Sequence, residues 1–308
     1  MIISVDAKMP QPRINDDYPH SPSQSPDWRE SYYFNFVDAK NGISSFSTIG
    51  LLPNLGRREF VFAIFCGGSR KIYYNEISGQ FDCELASLSD GQLSYELVEP
   101  LGLWRISFSD RDVGAEILWK ARFSAYSFGR GSGTSWAEHF EQSGSVSGVV
   151  RLPDGKKIIV NGLGQRDKSW GSRSWHIDSW FALHAQFDHM SIGLRKDVVG
   201  GKNYVSGAVM SEGPPDPLSG VEVQIEQVDA QGAPMSAKIA ITTVEGNSYT
   251  LSSSLISPNS YARFSRNFPG GVTELFEGMA FHHCEELGLM GTGLLEWLFT
   301  KLQPNYKS

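Results

Sequence analysis

Along much of the chain, apolar and polar residues alternate with a period of two. Trp104, Ile106 and Phe108 alternate with Arg105, Ser107 and Ser109, and Val221, Val223 and Ile225 alternate with Glu222, Gln224 and Glu226. Phe181, Leu183, Ala185 and Phe187 alternate with Ala182, His184, Gln186 and Asp188. Successive side chains of a strand point to opposite faces, so these runs predict strands with one apolar and one polar face. Turn residues separate them, as at Asn54-Leu55-Gly56, Pro153-Asp154-Gly155 and Glu245-Gly246-Asn247. With 32 glycines and no long helical period, the pattern predicts an all-β sandwich or barrel. Thr292 to Leu302 follows Gly288, Gly291 and overlaps Gly293, and reads as a closing strand in preference to a short helix.

The first 26 residues are rich in Pro, Ser and Asp and read as a mobile or draped arm. The stretch Ser127 to Thr134 is rich in Gly and Ser and reads as a linker. This predicts two β domains, residues 27–134 and 135–308, each of a size at which a closed barrel encloses a small ligand. Over 308 residues either domain is long enough to bury a core.

Composition narrows the function. The net charge is −7, from 27 basic and 34 acidic residues, with no local basic run, which argues against nucleic acid as a partner. Cys66, Cys83 and Cys284 are far apart and show no CxxC spacing, so free thiols in a reducing compartment are expected. No apolar run has the length of a signal peptide core or a membrane span, and a cytoplasmic location is expected.

Candidate chemistry concentrates in Asn161 to Trp175, NGLGQRDKSWGSRSW. A hairpin turning at Pro153-Asp154-Gly155 delivers this segment. Strand alternation puts Arg166, Lys168 and Trp170 on one face and Gln165, Asp167 and Ser169 on the other. Asp167 then either points into a pocket as an acid or base, or pairs with Arg166 or Arg173 to tie strands together. Trp170, Trp175 and Trp180 crowd beside these charges, and tryptophan faces stabilise cations. The histidines show no HExxH and no zinc spacing, so no metal is expected. Gly162-Leu163-Gly164 lacks the third glycine of a dinucleotide fingerprint, and neither a P-loop nor a GxSxG elbow is present.

The segments HFEQSGSVSG (His139 to Gly148) and GLGQRDKSWGSRSW (Gly162 to Trp175) resemble the hydroxyneurosporene synthase, or carotenoid 1,2-hydratase-like, lipocalin superfamily. DWRESYYFNF (Asp27 to Phe36) and FEGMAFHHCEELGLMGTGLLEW (Phe276 to Trp297) are similar to its opening and closing strands. The resemblance implies two lipocalin-like antiparallel barrels packed together around an apolar pocket. It also implies hydration of isoprenoid double bonds, or cyclisation. This chain has Lys168 where the family motif has His, and Ser174 where it has a second Asp.

Adding water across an alkene requires a proton donor beside the carbon, and a carboxyl kept neutral by burial supplies one. The expected function is therefore a cofactor-independent hydratase or dehydratase, isomerase or cyclase acting on a hydrophobic, isoprenoid- or polyketide-like molecule. The alternative is a non-catalytic carrier of such a molecule. The expected catalytic residues are Asp167, Glu296 and Lys168, with Glu141 and Asp178 in reserve. Arg166, Gln165, Trp170, Trp175, His176, His139 and Gln142 are the expected substrate contacts.

Overall fold

The structure is a computed structural model that describes residues 2–4, 11–129, 136–173 and 177–302. The described residues divide into two compact units. The first comprises residues 11–129 and 136–173, and the second residues 2–4 and 177–302. Both are β throughout, apart from three short 3-10 turns in the first.

In chain order, β1 (Ile2–Ser4) belongs to the second unit. The first unit follows with β2 (Trp28–Asp38), β3 (Ile43–Leu52), β4 (Arg57–Cys66) and β5 (Ser69–Ser78). It continues with β6 (Leu93–Glu99), β7 (Leu103–Ser109), β8 (Gly114–Ala121) and β9 (Tyr126–Gly129), and closes with the long hairpin β10 (Glu138–Arg151) and β11 (Lys157–Ser172). The second unit holds β12 (Ser179–Gln186), β13 (Ser191–Val199), β14 (Lys202–Met210), β15 (Asp216–Val228) and β16 (Pro234–Thr243). Its last strands are β17 (Ser248–Leu255), β18 (Tyr261–Phe268), β19 (Gly271–Cys284) and β20 (Leu289–Leu302).

The first unit is one antiparallel sheet in the order β5-β4-β3-β2-β11-β10-β8-β7-β6, with β9 added to β10. It curls without closing, because β5 and β6 are not paired with each other. Side chains close the gap instead: Phe62 stacks on Phe108 at 4.2 Å between ring centroids, and Tyr73 meets Phe108 at 5.2 Å. Trp104, Ile106 and Phe108 all point into this core, as their alternation predicts. The interior is packed with aromatics, and a void of about 10 Å³ beside Phe34, Phe62 and Trp119 is too small for an organic ligand. The expected ligand-filled barrel is therefore not present in this unit.

The second unit is a closed barrel. Its strands run β14-β13-β12-β20-β19-β17-β16-β15, and β15 returns to β14 through Ala208 and Val209 opposite Pro217 and Asp216. β1 adds to β14 in parallel and β18 adds to β19. Leu289–Leu302 is a strand, as expected, pairing β19 on one side and β12 on the other. In β12 the apolar residues Phe181, Leu183 and Ala185 fill the barrel, but the opposite face is buried too. There His184 and Gln186 bond to each other at 2.7 Å.

The division between units differs from the expected boundary at residues 134/135. β11 pairs along ten residues with β2, from Leu163 opposite Val37 to Ser172 opposite Trp28, so the hairpin belongs to the first unit. The division falls after residue 173. Within the expected linker, Ser127 to Gly129 form part of β9 on β10, and residues 130–135 lie outside the described residues. Among the described residues no helix is long and apolar enough to cross a membrane.

Candidate functional site

The two faces of β11 have separate surroundings. On the inner face Arg166 is buried and its guanidinium grips the Asp17 carboxylate at 2.5 Å and 3.3 Å, while its Nε donates to Gln142 Oε1 at 2.9 Å. Asp17 also accepts the Leu101 backbone N–H, and Gln142 donates to the carbonyls of Leu101 and Phe123, both at 3.0 Å. The Arg166 cation lies over the rings of Phe140 and Trp119, at 5.1 Å and 5.4 Å from their centroids. Arg166, braced by Gln142, thus fastens the N-terminal arm at Asp17.

Lys168, two residues on, does the same with its ammonium. It donates to Glu30 Oε1 at 2.9 Å, to the carbonyl of Asp16 at 2.7 Å and to that of Tyr18. Glu30 sits on β2 and is fully buried. Burial pushes its carboxyl up, but the hydrogen bonds from His20 and the Lys168 charge outweigh this and hold it below the usual carboxylate range. Burial likewise lowers the Lys168 ammonium, opposed by Glu30 and Asp17. Tyr32, next to both, is raised well above the ordinary phenol by burial and by the charges of Glu30 and Asp17. The arm beyond residue 10 is therefore tied down: Asp16, Asp17, Tyr18 and His20 all bond to strand residues.

On the outer face, β10 and β11 bring three titratable groups together. Glu141 lies opposite Asp167 in the ladder, and His139 precedes Glu141 by one side-chain repeat. His139 Nε2 is 3.6 Å from Glu141 Oε1 and 3.8 Å from Asp167 Oδ2. His139 and Glu141 are buried, whereas the Asp167 side chain keeps 30% of its surface. Aromatic rings enclose the imidazole: Trp136 meets it edge-on at 4.7 Å and Phe128 lies at 4.9 Å. Gln165, on the same face, is held in a side-chain ladder by Asn35 on β2, at 3.1 Å.

A cleft of about 410 Å³ opens where the arm crosses the start of β10. Arg13, Asp16 and His20 from the arm face His139, Phe140 and Trp170 from the hairpin. His20 stacks on Trp170 at 4.1 Å with the rings 12° from parallel.

Of the expected site residues, Asp167 and His139 come together, and the reserve residue Glu141 joins them. Trp170 lines the adjoining cleft. Glu296 lies on β20 of the second unit and accepts the Trp180 indole N–H; Arg195 stacks on that indole at 3.9 Å. Asp178 accepts the Gly201 N–H at 2.9 Å in a turn of the second unit. Trp175, His176 and Ser174 lie outside the described residues. Among the described residues no group of three or more His, Cys, Asp or Glu side chains is arranged to hold a metal ion. Sequence reading missed His20 and Glu30. His20 lies in a Pro- and Ser-rich arm with no periodicity, but Glu30 had a signal: it shares a strand face with Trp28, Tyr32 and Phe34, where a lone carboxylate demands a partner.

The family model described as a domain of unknown function (DUF7064) matches residues 13–301. No curated protein matches the chain. Among solved structures, a protein of Nitrosomonas europaea assigned as AttH has a TM-score of 0.67 at 14% identity, covering 88% of this chain and 92% of its own. Kievitone hydratase from Nectria haematococca has a TM-score of 0.66 at 12% identity, covering 95% of this chain and 94% of its own. At these identities the likeness is one of fold.

Proposed function

Since the chain belongs to the DUF7064 family, whose description names no activity, we propose from the site itself that it is a cofactor-independent acid/base enzyme. Its reaction is the addition or removal of water at a C=C or enone of a hydrophobic small molecule. The observation that carries this reading is the cluster of His139, Glu141 and Asp167, enclosed by Trp136 and Phe128 beside an open cleft. At 3.6 Å and 3.8 Å the imidazole stands within a small side-chain shift of both carboxyls, close enough to pass a proton once a substrate tightens the contacts. The two carboxyls have unlike surroundings, Glu141 buried and Asp167 partly exposed, which suits a division between proton store and solvent exchange. The aromatic faces favour positive charge developing on a protonated alkene. Kievitone hydratase shares the fold, which supports water chemistry over the isomerase and cyclase readings.

In this reading Arg166, braced by Gln142, and Lys168 hold the arm in place, and Asp167 is the expected catalytic residue that retains a chemical role.

The test is a panel of apolar alkenes and enones incubated with the protein in ¹⁸O-water, with products read by mass spectrometry. Labelled hydration product is expected from the wild type, and His139→Gln or Asp167→Asn should lower kcat by about 100-fold or more. Undiminished turnover in both variants would overturn the assignment.

A further inference from the structure

Glu30 does more than neutralise Lys168. Its Oε2 accepts the backbone N–H of His20 at 2.8 Å, and its Oε1 meets His20 Nδ1 at 2.9 Å. An ionised carboxylate only accepts, so the proton of this bond sits on Nδ1, and in the neutral ring the lone pair is on Nε2. Lys168 fixes the carboxylate from behind, and stacking on Trp170 fixes the plane of the ring. The His20 side chain keeps 25% of its surface and lines the same cleft as His139. Its Nε2 has no hydrogen-bond partner among the described residues. Pinning the arm requires only the backbone bond; it does not require a carboxylate-oriented imidazole with its second nitrogen left open.

We propose that His20 is a second proton-transfer residue of this cleft, a base whose Nε2 is presented by the buried Glu30–Lys168 pair. The proposal rests on the cleft having the function given above. In hydration, a water oxygen forms the C–O bond at one alkene carbon while its proton passes to His20 Nε2. The other carbon takes a proton from the His139–Glu141–Asp167 cluster, using the alkene's π electron pair. His20 gains one proton and the cluster loses one, and exchange with solvent restores both; dehydration runs the same steps backwards. A carboxylate-oriented histidine on one wall and a proton-holding cluster on the other divide the base and acid roles.

Two experiments test this. In the full-length ¹⁵N-labelled protein, long-range ¹H–¹⁵N spectra read which ring nitrogen of the neutral imidazole carries hydrogen. Hydrogen on Nδ1 of His20 is expected, with loss of that preference in the double variant Glu30→Leu/Lys168→Met, which replaces the buried pair by apolar residues. Hydrogen on Nε2 in the wild type would overturn the proposal whether or not a substrate has been found. With an alkene that the wild type hydrates, His20→Ala should lower kcat about 100-fold with little change in KM, and added imidazole should restore part of the loss. If His20→Ala keeps wild-type kcat while His139→Gln loses it, the cleft reading stands and the role of His20 falls.

Discussion

A lysine with no exposed surface must give its three protons to acceptors, and Lys168 gives them to Glu30 and to the carbonyls of Asp16 and Tyr18. Lys168→Met should cost about 3–5 kcal/mol, because it strands the Glu30 carboxylate in the interior. Adding Glu30→Leu should recover most of that loss. Urea unfolding checks both, and equal midpoints for the single and double variants would contradict the pairing. His282 makes a different prediction. It is fully buried inside the closed barrel, bonded through Nδ1 to Ser253 Oγ at 2.8 Å, and burial lowers its pKa from 6.5 to about 3. The unfolded chain therefore binds a proton at His282 before the folded chain does. The stability this residue contributes is present above pH 6.5 and falls away as the pH drops toward 3, by up to about 1.4 kcal/mol per pH unit. His282→Gln should remove one proton from the measured dependence of unfolding free energy on pH; an unchanged slope would show that the ring is not held neutral.

Gly162 and Gly164 of β11 are explained by its neighbour. A Cβ on Gly162 would lie 2.3 Å from the Val37 carbonyl oxygen, and one on Gly164 would lie 2.1 Å from that of Asn35, both on β2. Gly164→Ala should therefore force the two strands apart and destabilise the protein by about 1–3 kcal/mol, as read from the denaturant midpoint. A wild-type midpoint would mean the strand relaxes at no cost. The alternation in this segment was legible, and so was the hairpin that carries it. Arg166, Lys168 and Trp170 do share one face, and Gln165 and Asp167 the other. What alternation leaves open is the identity of the covering group. The arm partners of Arg166 and Lys168, Asp17 and the carbonyls of Asp16 and Tyr18, lie about 150 residues away in a segment without periodic pattern, where local rules have nothing to act on. Asp167 meets His139 only through the register of β10 and β11, a cross-strand relation set by the turn and the ladder.

The two units solve the problem of sheet edges differently. The second closes through β14 and β15, whereas the first leaves β5 and β6 as its ends, and no residue of β5 is buried. Amide hydrogen exchange should accordingly be faster along β5 and β6 than along β14 and β15, since unpaired edges open more readily. Equal protection would mean that the edges of the first unit are covered. The expected boundary at 134/135 followed a Gly- and Ser-rich stretch, a reasonable sign of a linker, but the ten-residue pairing of β11 with β2 carries the hairpin back into the first unit.

By itself the amino-acid order determines the all-β class, the positions of the strands and turns, and which residues share a face, because these follow from a two-residue period and the conformational preferences of Gly, Pro and Asn. Only tertiary structure decides which strands are neighbours, that one sheet closes and the other does not, and that two conspicuous cations hold an arm while His139 collects the carboxyls. Those outcomes depend on contacts between segments far apart in the chain, and local pattern does not encode the partner.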